Sequence, residues 1–229
     1  MKSLDVLVGH GEIGQAVRSI ITDDVYVYDI HFGQPIKQTS AQVRLLHICI
    51  PYTKDFIKQV KGYQKFFSPQ YTVIHSTVPV GTSRKLRAVH SPVMGMHPNM
   101  ELAVKTFTKF FGGASASFVA DMFRRYGMNV YVTDKSETTE LMKILCTTNY
   151  GLNIEFTKEV KRLCDQYKVP FEMFTVWNNA YNSGNEKLGY PQYHRYNLVP
   201  LMKDIGGHCV LNNYKLLKSK FIDFLESIK

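Results

Sequence analysis

The chain has 229 residues, 45% apolar and 21% charged, with a net charge of +9. That is enough for one large domain or two small ones with a proper core, and no apolar run approaches the roughly 18–20 residues that would span a bilayer. The opening MKSLDVLVGHGEIG has too short an apolar stretch, broken by glycines, for a signal peptide, so the cytoplasm is the expected compartment. The cations are spread along the chain, and no RNA-binding aromatic signature or zinc finger is present. Such a charge admits small anions such as dinucleotides or sugar nucleotides as partners, a solvated basic surface is its plainer reading, and neither nucleic acid nor membrane is expected. Cys49, Cys146, Cys164 and Cys209 form no CxxC pair and the histidines show no ligand spacing, so free thiols and no metal are expected.

LDVLV (4–8) reads as a buried strand that runs directly into GHGEIG (9–14) and then a helical QAVRSII. This is G-x-G-x-x-G between a strand and a helix. Gly9 permits the tight turn, Gly11 lets the backbone approach a pyrophosphate and Gly14 allows close helix–strand packing, with Glu12 and Ile13 completing the loop. The N-terminus of that helix would face the phosphates. VYVYD (25–29) reads as a second strand ending in Asp29, twenty residues after Gly9. An acid there accepts bonds from both ribose hydroxyls and favours NAD over NADP.

The alternation continues with a strand at 44–50, a helix at 53–67, a strand at 71–76, the helical TSRKLRAV (82–89), a helix at 118–127 and a strand at 129–133. Strands alternating with helices imply a doubly wound parallel sheet of the Rossmann type, with ligands beyond the carboxyl ends of the strands. Pro51, Tyr52 and Thr53, and Ser76 and Thr77 in STVPVG, occupy such ends and are candidate cofactor contacts. From Glu137 to Tyr167 apolar residues recur at 141, 144, 145, 152, 156, 160 and 163 with a period near 3.6, behind Ser136 as N-cap. A second helix follows Pro170 through FEMFTVWNNAY, 183–200 has loop composition, and 210–229 reads as an amphipathic helix. The α/β organisation is thus an NAD-binding domain over 1–134 and an all-helical domain over 135–229 with one long helix.

GHGEIG, STVPVGTSRKL, HSPVMGMHP, the ELMK helix and GGHC (206–209), in this order, resemble the UDP-glucose/GDP-mannose dehydrogenase family over nearly the whole chain. The resemblance implies oxidation of a sugar-nucleotide alcohol to a carboxylate with two NAD. It also implies that Cys209 adds to an aldehyde intermediate, that Lys143 stabilises the developing oxyanion, and that Thr77 lies near the transferring atoms. It implies a homodimer through the helical domain. Three positions depart from the family pattern. Val93 stands where the family has a glutamate after Ser-Pro, Thr147 where it has an asparagine four residues after the lysine, and Asn213 where it has an aspartate four after the cysteine. The family also continues into a third domain that grips the nucleotide. A Rossmann domain followed by helices with a lysine equally describes the 3-hydroxyacid and 6-phosphogluconate dehydrogenases, which oxidise once and need no cysteine. The lost carboxylates leave open a nucleotide-binding protein without turnover.

Overall fold

The computed structural model describes residues 3–33, 36, 37, 41–95, 98–200, 213–220, 223 and 227. β1 (Ser3–Val8) is buried on both sides of its pleat from Val6 onward, as a central parallel strand must be. The chain continues through α1 (Glu12–Arg18), β2 (Val25–Tyr28), β3 (Gln42–Ile48), α2 (Phe56–Phe67), β4 (Tyr71–Ile74), α3 (Thr82–Lys85) and β5 (Val89–His90). It goes on through α4 (Met100–Thr106), β6 (Lys109–Gly112), α5 (Ala116–Arg125), β7 (Val130–Thr133), α6 (Ser136–Tyr167) and α7 (Glu172–Lys187).

The seven strands form one sheet in the order β2-β1-β3-β4-β5-β6-β7. All neighbours are parallel except β5 and β6, which meet at His90 and Gly112. β1 pairs with β2 on one side and β3 on the other, so the topological switch point lies between β1 and β3. Open α/β sheets bind ligands beyond the carboxyl ends of the strands at that point. One apolar cluster joins Leu7, Leu45, Val73 and Phe111 to α1, α4 and α5, and a second joins Val6, Val8, Leu46, Ile48 and Ile74 to α2. Alternate side chains of one strand thus feed opposite faces. Each fully buried Leu or Phe stabilises this arrangement by about 2–3 kcal/mol.

A polar array also crosses the core. Arg44 forms a fork to Asp5, at 3.0 and 2.8 Å, and reaches Asp23 at 2.6 Å. His47 lies 3.7 Å from Asp5 and meets His75, Nδ1 to Nε2, at 3.0 Å, and His75 Nδ1 meets the Ser91 carbonyl at 2.9 Å. The two rings are stacked and fully or almost fully buried.

By contact the chain divides into two compact units, Met1–Lys143 and Ile144–Lys229. No helix among the described residues is long and apolar enough to cross a membrane.

Several elements differ from the sequence expectation. The helix expected over 82–89 stops at Lys85, because Arg87 takes a φ of 51° and Val89–His90 pairs with β4 as β5. β6 carries no sequence signal: it has four residues, of which one is lysine and one glycine. Ser136 is the first residue of α6 rather than its cap, and α6 runs unbroken through Gly151. The buried line along its second half is Ile144, Thr148, Gly151, Ile154 and Thr157, whereas Leu145, Phe156 and Leu163 of the expected stripe are exposed. Thr148 and Thr157 bury themselves by donating to the carbonyls of Ile144 and Asn153.

α7 continues to Lys187 through the Ser183–Gly184–Asn185 stretch expected as loop. Its asparagines explain this. Asn178 donates to the Tyr196 carbonyl, Asn182 bonds both the N–H and the carbonyl of Arg195, and Asn179 accepts from Asn197. These tertiary bonds outweigh weak helix propensity. The helix expected over 210–229 is interrupted in its described part, where a 3₁₀ turn at Tyr214–Leu216 is followed by non-helical 217–219.

Candidate functional site

The loop after β1 is shaped by two glycines that tolerate no side chain. Gly9 has a φ of 93°, and a Cβ on it would stand 2.9 Å from the Cys49 carbonyl carbon and oxygen. A Cβ on Gly14 would stand 1.9 Å from the Gly9 oxygen, so α1 can approach β1 this closely only with glycine there. Gly11 has nothing within 4 Å of its would-be Cβ, so the turn is open on that side. Glu12 and Ile13 begin α1 behind it.

Asp29 follows β2 and is tied to this loop. Its Oδ2 accepts the His10 N–H at 2.6 Å and its Oδ1 accepts the His31 N–H at 2.8 Å, capping the 3₁₀ turn Ile30–Phe32. Burial works to raise the pKa of Asp29, but these two N–H groups and the neighbouring histidines outweigh it, so the carboxyl is held below its usual range. Each oxygen keeps a lone pair for a further donor. A glycine turn open at Gly11, with an ionised carboxylate bonded to it from the end of the neighbouring β2, fits a dinucleotide: the turn for the pyrophosphate and Asp29 for the ribose.

At the end of β3, Pro51 and Thr53 are exposed and Tyr52 leans on Phe56 with ring centroids 5.4 Å apart. Ser76, beyond β4, donates to the Ile50 carbonyl at 2.6 Å, joining the two strand ends; Thr77 next to it is half-buried. His90 meets the Ser76 carbonyl at 3.2 Å and Thr139 at 2.8 Å, and burial pushes its pKa down to about 3, so the ring is neutral.

α6 then fastens the next loops. Glu140 is fully buried and accepts from the N–H groups of Gly81 and Ser83, at 2.5 and 2.7 Å, which fixes the end of the 76–81 loop. One turn on, Lys143 donates to the Val93 carbonyl at 2.9 Å. The Val93 side chain is packed in the core, so a main-chain carbonyl meets the lysine at this position. Thr147 lies a further turn along, and its hydroxyl donates to Ile144. Cys209 and the rest of GGHC lie outside the described residues.

Sequence reasoning gave no role to Lys109, nor to Glu140 and His90, although these two open the ELMK and HSPVMGMHP segments. Lys109 is buried and donates to the carbonyls of Ser91 and Pro92, at 2.9 and 3.2 Å, so two lysines hold three consecutive carbonyls at 91–93. Burial pushes the Lys109 pKa down to about 7. A lone lysine in a short strand reads as a surface residue; its only signal is the apolar FF beside it.

The sheet order and the glycine turn define a doubly wound α/β fold of the Rossmann type. No family model matches the chain. UDP-N-acetyl-D-mannosamine dehydrogenase of Methanococcus vannielii is 24% identical over 169 residues, 64% of this chain and 36% of that protein. The enzyme of the same name from Methanococcus maripaludis is 25% identical over 150 residues, 60% of this chain and 32% of that one. The chain thus spans about a third of the length of the curated relatives it matches. The structure of UDP-D-ManNAc dehydrogenase from Pyrococcus horikoshii superposes with a TM-score of 0.78 over 98% of this chain and 68% of that one, at 16% identity. The resemblance to nucleotide-sugar dehydrogenases read from the motifs is therefore present both in sequence relatives and in fold.

Proposed function

We propose that the chain is an NAD-dependent oxidoreductase of the nucleotide-sugar dehydrogenase type, acting on the alcohol of a sugar or sugar nucleotide. The observation that supports this reading is the bond between Asp29 and the glycine loop, which would set a ribose acceptor beside a pyrophosphate turn. When bound, NAD would take the hydride from the alcohol carbon. Gly9, Gly11, Glu12, Ile13 and Gly14 would shape its seat and Asp29 would hold its adenosine ribose. Pro51, Tyr52, Thr53, Ser76 and Thr77 would line the way to the reacting carbon.

Lys143 would hold the oxyanion that forms as the alcohol gives up its proton and hydride, and Thr147 would stand one turn away on the same helix. The thiolate of Cys209 would add to the resulting aldehyde. Loss of a second hydride from that adduct to a second NAD would leave a thioester, which water would cleave to the acid and free thiol. Assembly as a homodimer through the helical unit is part of the proposal. It is supported by exposed Phe156, Met173, Val176, Trp177 and Tyr181. The cytoplasm is the proposed compartment.

Val93 favours a second reading. Its core-packed side chain leaves that position without a carboxylate to move protons, which suits a single oxidation ending at the aldehyde or ketone. 3-Hydroxyisobutyrate dehydrogenase of Mycobacterium tuberculosis has the same fold over 74% of this chain, with a TM-score of 0.57 at 12% identity. NADH counted per molecule of UDP-N-acetylmannosamine, UDP-glucose or GDP-mannose tests both. Two NADH, abolished in Cys209→Ala, is the expected outcome; one NADH that survives that substitution would establish the second reading. NAD binding with no turnover on these and on 3-hydroxyacids would reject both in favour of a binding protein.

A further inference from the structure

At the dinucleotide cradle one polar atom has no partner within the protein. His10 Nδ1 is buried and makes no hydrogen bond. Its main chain is held on both sides. The His10 N–H donates to Asp29 Oδ2 at 2.6 Å and its carbonyl accepts from Gln15 Nε2 at 3.1 Å. The ring meets Phe32 edge-on with centroids 5.8 Å apart. The main chain is thus pinned from both sides and the imidazole rests against an aromatic wall. Buried nitrogens are nearly always bonded, and leaving one unpaired is costly. A position that leaves such a nitrogen unpaired, on a ring that can turn about its side-chain torsions and between two glycines that shape a phosphate turn, is suited to a ligand oxygen.

Which part of the ligand follows from the neighbours. His10 shares the Asp29 carboxylate, the group placed for the adenosine ribose, and it stands beside the exposed Ile30 and Phe32 that follow Asp29. We propose that His10 Nδ1 binds an oxygen of the adenosine monophosphate half of the dinucleotide, making His10 a determinant of cofactor affinity; this rests on the cofactor reading above. The sequence pattern assigns no role to this residue, because it fills a free position of G-x-G-x-x-G. The oxygen is either a ribose hydroxyl or the phosphate, and both present the same hydrogen-bonding chemistry to an imidazole nitrogen.

The test compares the full chain with His10→Ala, His10→Asn and His10→Gln by calorimetric titration of NAD, AMP, adenosine and nicotinamide mononucleotide, with a thermal midpoint for each variant. Asparagine places its amide near the Nδ1 position, whereas glutamine reaches the Nε2 position. The alanine variant is expected to bind NAD and AMP about tenfold more weakly, with nicotinamide mononucleotide unchanged. The asparagine variant is expected to recover to within about twofold, and the glutamine variant is not. A loss shared by adenosine assigns the bond to a ribose hydroxyl, and a loss confined to AMP and NAD assigns it to the phosphate. NAD and AMP binding equal to wild type in the alanine variant, or rescue by glutamine rather than asparagine, overturns the inference while leaving the cofactor reading intact. Wild-type protein that binds neither NAD nor AMP overturns both. Should the alanine variant not fold, the asparagine and glutamine pair decides alone.

Discussion

The two compact units use their apolar residues in opposite ways. In Met1–Lys143 the strands and their covering helices close two dry clusters, and Phe56, Phe111, Phe123 and Leu45 have no exposed surface. In Ile144–Lys229 the large side chains of the described helices face outward: Tyr150, Phe156, Met173, Val176 and Trp177 are all more than half exposed. What remains inside α6 is a narrow line of Ile144, Thr148, Gly151, Ile154 and Thr157. The lesson is that a sheet with two covered faces is a complete hydrophobic unit, whereas the described helices of the second unit leave much of their apolar surface outside.

Substitutions should separate the units sharply. Gly14→Ala drives a methyl into the Gly9 carbonyl and is expected to cost about 3 kcal/mol or more of stability and to abolish NAD binding. Urea unfolding and calorimetry check it, and near-wild-type stability would break the picture of a closed β1–α1 seam. Glu140→Ala strands the N–H groups of Gly81 and Ser83 in the interior and is expected to cost about 2–3 kcal/mol. Glu140→Gln, which keeps one acceptor oxygen, is expected to lose less.

Lys109 gives a pH signature. It titrates near pH 7 when folded, because burial disfavours its charge, and near pH 10.4 when unfolded. Between these values the unfolded chain holds the extra proton, so stability climbs with pH across that window by up to about 1.4 kcal/mol per unit. Below the window the penalty is in full force. In Lys109→Met this part of the slope is expected to vanish, as read from urea midpoints between neutral and alkaline pH. An unchanged slope would mean that the ammonium is satisfied by its two carbonyls at no cost. The smallest effect is expected in the helical unit. Trp177→Ser should change the stability of the separate chain by no more than about 0.5 kcal/mol, while shifting light-scattering mass toward the monomer. A large loss of stability with unchanged mass would show that Trp177 belongs to a core of its own chain.

The sheet unit was legible where strands were long and apolar. LDVLV, VYVY and RLLHI announced β1, β2 and β3, and the order of glycines and Asp29 announced the turn between them. β5 and β6 were hidden because Val89–His90 and Lys109–Gly112 are too short to show a period, and their partners come from elsewhere in the chain. The burial of α6 was misread because leucines and phenylalanines outrank threonine in any apolar count, whereas a threonine that bonds its own helix can be buried. In the site, residues tied by local spacing were visible. Glu140 was not, because its partners lie 57 and 59 positions away. His10 was not, because one buried nitrogen leaves no trace in a pattern of letters.

The polar array through the core ends in a way that limits what it can transmit. His75 points Nδ1 at the Ser91 carbonyl, which can only accept, so that nitrogen carries the hydrogen. Its Nε2 is then bare and receives the hydrogen of His47 Nδ1. Burial holds the His75 pKa well below its ordinary value, so the ring stays uncharged. A carbonyl has no hydrogen to pass on, so the histidine pair stops at Ser91 as a proton conductor, and on its other side His47 Nε2 lies 3.7 Å from Asp5, beyond hydrogen-bond reach. It is an insulated wire. It fixes the tautomer of His75 and ties His47 to the Ser91 carbonyl, so no proton relay leads from this histidine pair to the strand end at Ser91.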